Sequence, residues 1–163
     1  MAINGQILLV DDEKIIRESL SEWLENEGFN VITAANGMDA LKIFDQEHPS
    51  VAVVDIKMPG MDGVTLLKKI KEKDSTVPVI MMTAFASVEN AVQSMKDGAF
   101  EYITKPFPPE KLSNLLLRIV EHQHLEEETK KLKSERKHIL HIAVTALLSF
   151  MIIVTLIYFL ALR

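Results

Sequence analysis

The sequence predicts an α/β fold in which five parallel strands alternate with five helices and are doubly wound around one sheet. Three observations predict it. Five short apolar runs punctuate the first 120 residues, and they are continuous rather than alternating, as strands covered on both faces are. Between them, apolar residues recur at helical spacing. Glycines and an Asn-Gly pair mark the junctions.

The elements follow in order. Ile7–Val10 is the first strand, and Ile15, Ile16, Leu20, Trp23 and Leu24 give the first helix its apolar face before Gly28. Val31–Thr33 is the second strand; past the turn-forming Asn36-Gly37, Leu41 and Phe44 carry the second helix. Val51–Val54 precedes a helix built on Val64, Leu67 and Ile70. Val77–Met82 precedes one built on Val88, Val92 and Met95, with Gly98 at its end. Tyr102–Thr104 is the last strand, and Pro108 and Pro109 suit the first turn of a fifth helix. From Glu110 to Leu162 there is no proline or glycine, so a long C-terminal helix is expected. Fully helical, it would reach about 80 Å.

Three segments are expected: a folded domain over 1–122, a charged helical stalk over 123–138, and a transmembrane helix over 139–162. Taken as helix, Ile139–Leu162 would be about 36 Å long, against a hydrocarbon core of about 30 Å. Lys130, Lys131, Lys133, Arg136 and Lys137 precede the span with only Glu135 opposing them, which puts that side in the cytoplasm. Only Arg163 follows, so the expectation is a single-pass tail anchor in the cell (inner) membrane, with the bilayer as a partner. Met1–Val10 lacks a basic n-region and does not read as a secretory signal. Leu125, Leu132 and Ile139 recur every seven residues, but His122, Thr129 and Arg136 fill the partner positions of a poor coiled-coil seam. A homodimer through this stalk, or through the face of the fourth and fifth helices, is a further expectation.

Composition narrows the chemistry. The chain has no cysteine, which excludes disulfides, thiolate metal sites and thiol catalysis. Residues 1–120 hold 12 basic and 18 acidic side chains, net −6, with no basic stripe, which argues against nucleic acid as a direct partner. The five histidines form no plausible metal set.

What remains is a convergence at the carboxyl ends of the strands, where open parallel sheets gather their ligands. Asp11 and Asp12 follow the first strand, Asp55 the third, Thr83 ends the fourth, and Lys105 follows the fifth. Any one of these alone reads as a helix cap, a turn residue or a surface charge; the joint occurrence is what counts. Grouped carboxylates suit a hard divalent cation, and Mg2+ is the natural choice. An aspartate can attack phosphorus in line, while Lys105 and the Thr83 hydroxyl stabilise the transferring oxygens.

The strings Ile7-Leu8-Leu9-Val10-Asp11-Asp12-Glu13, Val53-Val54-Asp55-Ile56-Lys57-Met58-Pro59-Gly60-Met61-Asp62-Gly63, Met82-Thr83-Ala84 and Tyr102-Ile103-Thr104-Lys105-Pro106-Phe107 resemble the receiver domain of two-component response regulators. The resemblance covers about residues 4–122. It implies a flavodoxin-like sheet of order 2-1-3-4-5. It implies that Asp55 accepts phosphate from a sensor histidine kinase or phosphotransfer protein, and that Asp12, Asp55 and the Lys57 carbonyl coordinate Mg2+ while Asp11 holds metal-bound water. It further implies Thr83 and Tyr102 as a coupled switch pair, and a cis Lys105–Pro106 bond. Phosphorylation would add roughly two negative charges and three strong acceptors, drawing Thr83 towards them and opening space for the Tyr102 ring.

Neither a helix-turn-helix nor a P-loop follows the receiver. The chain therefore does not read as a conventional enzyme, although hydrolysis of its own aspartyl phosphate is expected. A haloacid dehalogenase-type phosphatase would want an acid where Lys57 stands. Two alternatives stay open: a membrane-tethered phosphate sink, and a pseudo-receiver that binds partners without phosphorylation.

Overall fold

The computed structural model describes residues 5–84, 88–123, and positions 125, 129, 131, 133, 136, 137, 141, 142, 145 and 151. The chain divides into a unit over 1–120 and a second over 121–163. In the first, β1 (Gln6–Val10), α1 (Lys14–Asn26), β2 (Asn30–Ala34), α2 (Gly37–Glu47), β3 (Val51–Asp55), α3 (Gly63–Lys73), β4 (Val79–Thr83), α4 (Val88–Lys96) and β5 (Glu101–Thr104) alternate in sequence. A fifth helix, α5, occupies 109–120 of this unit. The sheet is parallel throughout and its order is β2-β1-β3-β4-β5, as the resemblance implies.

Two cores form because successive strand residues point to opposite faces. Ile7, Leu9, Val51, Val53, Ile80, Met82 and Ile103 face one way, against Leu20 and Leu24 of α1 and Leu112, Leu116 and Ile119 of α5. Leu8, Val10, Ala52, Val54, Val79 and Met81 face the other, against Ala40 and Phe44 of α2 and Leu66, Leu67 and Ile70 of α3. Both strand sets are fully buried, so a slip of one residue in any central strand would exchange one packed set for another and disrupt both cores. The register that positions the strand ends is fixed by this packing.

Several expectations are corrected. β4 starts at Val79 rather than Val77: proline lacks an N–H, and Lys71 Nζ takes the Val77 carbonyl at 2.7 Å before the ladder begins. Asn36-Gly37 opens a helix, the Asn36 side chain accepting from Asp39 N at 2.9 Å. Ile15 is 81% exposed, and Val92 and Met95 are about half exposed, so their helical spacing does not make them core. α1 buries Leu20 and Leu24 but leaves its first turn overhanging the sheet edge.

In the second unit, the described residues are helical, with Thr129 and Thr145 hydroxyls donating to the carbonyls four residues back. The predicted span over 139–162 and the Leu132 and Ile139 positions of the seam lie outside the described residues, apart from His141, Ile142, Thr145 and Met151. Among the described residues, no helix is long and apolar enough to cross a membrane.

Candidate functional site

The ladder aligns the strand ends: Val10 lies beside Val54, Asp55 beside Met82, and Thr83 beside Thr104. Asp55 and Thr83 end their strands, Asp11 and Lys105 each follow theirs by one residue, and all four stand at the same edge of the sheet. Asp11 is fully buried, and Asp55 and Thr83 nearly so. Lys105 Nζ lies 2.5 Å from Asp11 Oδ2 and 2.7 Å from Asp55 Oδ1, so one ammonium bridges both carboxylates. The second Asp55 oxygen accepts from Lys57 N at 2.8 Å, and the second Asp11 oxygen from Glu13 N at 3.0 Å. Lys105 N donates to Thr83 O at 2.7 Å, which holds the Lys105 backbone at the end of β4, and the Lys105–Pro106 peptide bond is cis.

Burial raises the Asp55 carboxyl above its ordinary value; the Lys105 hydrogen bond and charge pull it down without cancelling that, and Asp11 adds repulsion. Lys105 shows the opposite balance. Burial disfavours its charge, but the hydrogen bonds it donates to Asp11 and Asp55 outweigh that, and the ammonium is held above its ordinary value. An acid kept reactive by desolvation, beside a cation that stays charged, is suited to receiving an anionic group.

The response regulator receiver domain family profile matches residues 7–117. The chain belongs to this family. Over 131 residues this receiver is 42% identical to the regulatory protein AtoC of Escherichia coli (strain K12), covering 80% of the chain and 28% of AtoC. It is 43% identical over 107 residues to the probable transcriptional regulator ycf27 of Porphyridium aerugineum, covering 66% of the chain and 44% of that protein. The chain therefore spans less than half the length of these curated relatives. Among solved structures, the CheY-like receiver domain protein of Methanospirillum hungatei JF-1 superposes with a TM-score of 0.72 at 37% identity, covering 75% of the chain and 98% of that structure.

Receiver domains generally bind Mg2+ at the phosphorylation site. In this receiver, two buried carboxylates share one ammonium, so an excess of negative charge remains, and every nearby donor is a hard oxygen. That donor set fits Mg2+. Asp12 is exposed beside buried Asp11, and among the described residues no cluster of three or more acidic or histidine side chains stands in metal-holding geometry.

Thr83 and Tyr102 lie on adjacent strands, and Tyr102 pairs with Met81 in the ladder. Met81 and Thr83 are two apart on β4, so Thr83 and the half-buried Tyr102 present their side chains to the same face of the sheet. Sequence reasoning missed two parts of this receiver site, Arg17 and a cleft, and quoted Gly63 in a motif without foreseeing its contact. Arg17 Nη1 donates to the Asp11 carbonyl at 2.6 Å, securing the loop that carries both leading acids. Gly63 begins α3 against the backbone of Asp55 and Ile56. A cleft of about 520 Å3, walled by Ile15, Ile16, Leu20, Pro106 and Phe107, opens beside Lys105. The basic i+4 position after Glu13 and the glycine one residue after Asp62 were the available signals for Arg17 and for the Gly63 contact.

Proposed function

We propose that this chain is a membrane-tethered, phosphorylation-dependent signalling protein in which Asp55 takes a phosphoryl group from the phosphohistidine of a sensor histidine kinase or phosphotransfer protein. The observation that carries the reading is the Lys105 ammonium shared by Asp11 and Asp55. A carboxylate oxygen of Asp55 attacks phosphorus in line; the new P–O bond forms as the P–N bond to the donor imidazole breaks, and the imidazole leaves with the bond pair. Lys105 balances charge on the transferring oxygens, and the Thr83 hydroxyl donates to one of them. Asp12, Asp55 and the Lys57 carbonyl would hold Mg2+, with Asp11 acting through water, and the ion would neutralise phosphoryl charge. Water later attacks phosphorus, the P–O bond to Asp55 breaks, and inorganic phosphate leaves with Asp55 returned to its carboxylate, which is self-dephosphorylation rather than turnover of an external substrate.

The donor approaches through the cleft beside Lys105. Its walls are mostly apolar, with Glu13, Ser19 and Lys105 among them, Ile15 stands exposed, and an amphipathic helix presenting the phosphohistidine would fill it. On the output side, movement of Thr83 towards the phosphate frees space for Tyr102 on the shared face of β4 and β5. The first unit carries net −6, so we assign it no nucleic-acid contact of its own; an output like that named for the transcriptional relatives would run through a protein partner. The apolar stretch 139–162, preceded by a basic cluster, supports tethering at the cytoplasmic face of the inner membrane.

Acetyl phosphate and Mg2+ provide the test. Radiolabel is expected on the native chain and absent from Asp55→Asn; equal labelling of both would overturn Asp55 as acceptor, and no labelling of either would favour the pseudo-receiver. Label that turns over with no change in partner capture would favour the phosphate sink.

A further inference from the structure

We propose that Lys133, Arg136 and Lys137 form a binding face for anionic phospholipid headgroups, which sets the depth of the chain at the bilayer. This rests on the reading of 139–162 as a span and adds to it a class of lipid. All three residues are helical and exposed, and none forms an ion pair with a described acid. Lys133, Arg136 and Lys137 stand three and four positions apart and so share one side of the helix. Glu135, the one acid between positions 130 and 137, is two positions on from Lys133, about 200° round at helical pitch. The cationic side is therefore not self-neutralised.

Position along the chain makes the same point. At a helical rise, Lys137 and Lys133 stand about 3 and 9 Å before Ile139, where the apolar stretch begins. Each headgroup layer is about 5–7 Å thick, so Arg136 and Lys137 fall at the level of the phosphates and Lys133 stands just outside it, within reach of its long side chain. Arg136 can take a phosphodiester through two parallel N–H donors, and the lysines add mobile point charges whose stems lie along the acyl boundary. A topology signal alone needs basic residues in this stretch but does not need them on one face.

The chain has no cysteine, so Ser134→Cys gives a single reporter thiol beside the cationic face. The full chain carrying it is placed in nanodiscs of phosphatidylcholine alone, or of phosphatidylcholine mixed equally with phosphatidylglycerol, and labelled with an uncharged maleimide. Labelling is expected to slow about tenfold with the anionic lipid. The slowing should vanish at high salt and in a Lys133→Gln/Arg136→Gln/Lys137→Gln background. Equal rates in both lipids overturn the inference, as do equally slow rates in both, which would mean that an acidic protein surface covers the cations. Sodium carbonate extraction separates the two layers of reading. A chain released by carbonate overturns the span and this inference together; a retained chain with lipid-independent labelling overturns this inference alone.

Discussion

Gly63 stands directly against the backbone carbonyl of Asp55. A methyl group built on it would overlap that oxygen and lie 2.9 Å from both Asp55 C and Ile56 Cα. The first turn of α3 therefore supports the peptide that follows the proposed phospho-acceptor, and Gly63 N donates to Ile56 O at 2.9 Å. The atoms in the way are backbone, which cannot turn aside. Gly63→Ala is expected to cost about 2–3 kcal/mol and lower Tm by about 10 °C, read from the fluorescence of Trp23, the single tryptophan. It is also expected to slow acetyl-phosphate labelling, because relief of the overlap displaces Asp55. A variant with unchanged Tm would mean that the α3 start is free to shift.

Removing Lys105 leaves two buried carboxylates facing each other. Lys105→Met is expected to destabilise the fold at neutral pH by about 3 kcal/mol. The pH dependence distinguishes the partners. Asp55 is raised above 3.8, so over the window just above that value the folded chain binds more protons than the unfolded one, and Asp55 makes stability fall as pH rises. Lys105 is raised above 10.5, so its stabilisation is complete below that pH and is lost as pH climbs through the folded value. In Tm measured against pH, Asp55→Asn should flatten the acid-side decline, while Lys105→Met should steepen it and abolish the alkaline loss. An unaltered acid limb in Asp55→Asn would remove Asp55 as its source.

The strands were readable because burial on both faces writes itself as unbroken apolar runs, and Leu8 and Leu9 are equally buried on opposite sides. The acidic edge was readable for a related reason: Asp11, Asp55, Thr83 and Lys105 each fall at a strand end, and a parallel sheet brings those ends together whatever lies between them. Helix burial was less readable. Ile15 and Ile16 share a periodicity, yet Ile15 projects past the sheet edge into solvent, and no pattern along one helix encodes where its neighbour stops. Arg17 donating to a carbonyl and Gly63 clearing a peptide are backbone relationships across loops, which side-chain patterning does not record.

Lys71 offers a control remote from the phosphoryl chemistry. Its ammonium donates to Ser75 O at 3.1 Å and to Val77 O at 2.7 Å, tying the end of α3 to the loop that enters β4. Burial lowers its pKa, partly opposed by Asp74. Lys71→Met keeps the apolar stem and deletes both bonds, so a loss of about 1–2 kcal/mol is expected. Acetyl-phosphate labelling of Asp55 should be unaffected at temperatures below the new Tm. Loss of labelling in the folded variant would show that the β4 entry loop governs the site.

The cleft beside Lys105 separates recognition of the donor from chemistry at the acceptor. Ile15 is 81% exposed at its rim, and no neighbouring side chain needs it for packing in the way Leu20 or Leu24 is needed. Replacing it with glutamate puts a charge where an apolar helix face would seat, while leaving Asp55, Thr83 and Lys105 untouched. For a protein donor, Ile15→Glu is expected to slow transfer about tenfold or more, as loss of a central apolar anchor does. Acetyl phosphate is too small to use the cleft walls, and its labelling rate should be that of the native chain. Equal slowing with both donors would place the effect in the site itself, and no slowing with either would move the docking surface elsewhere.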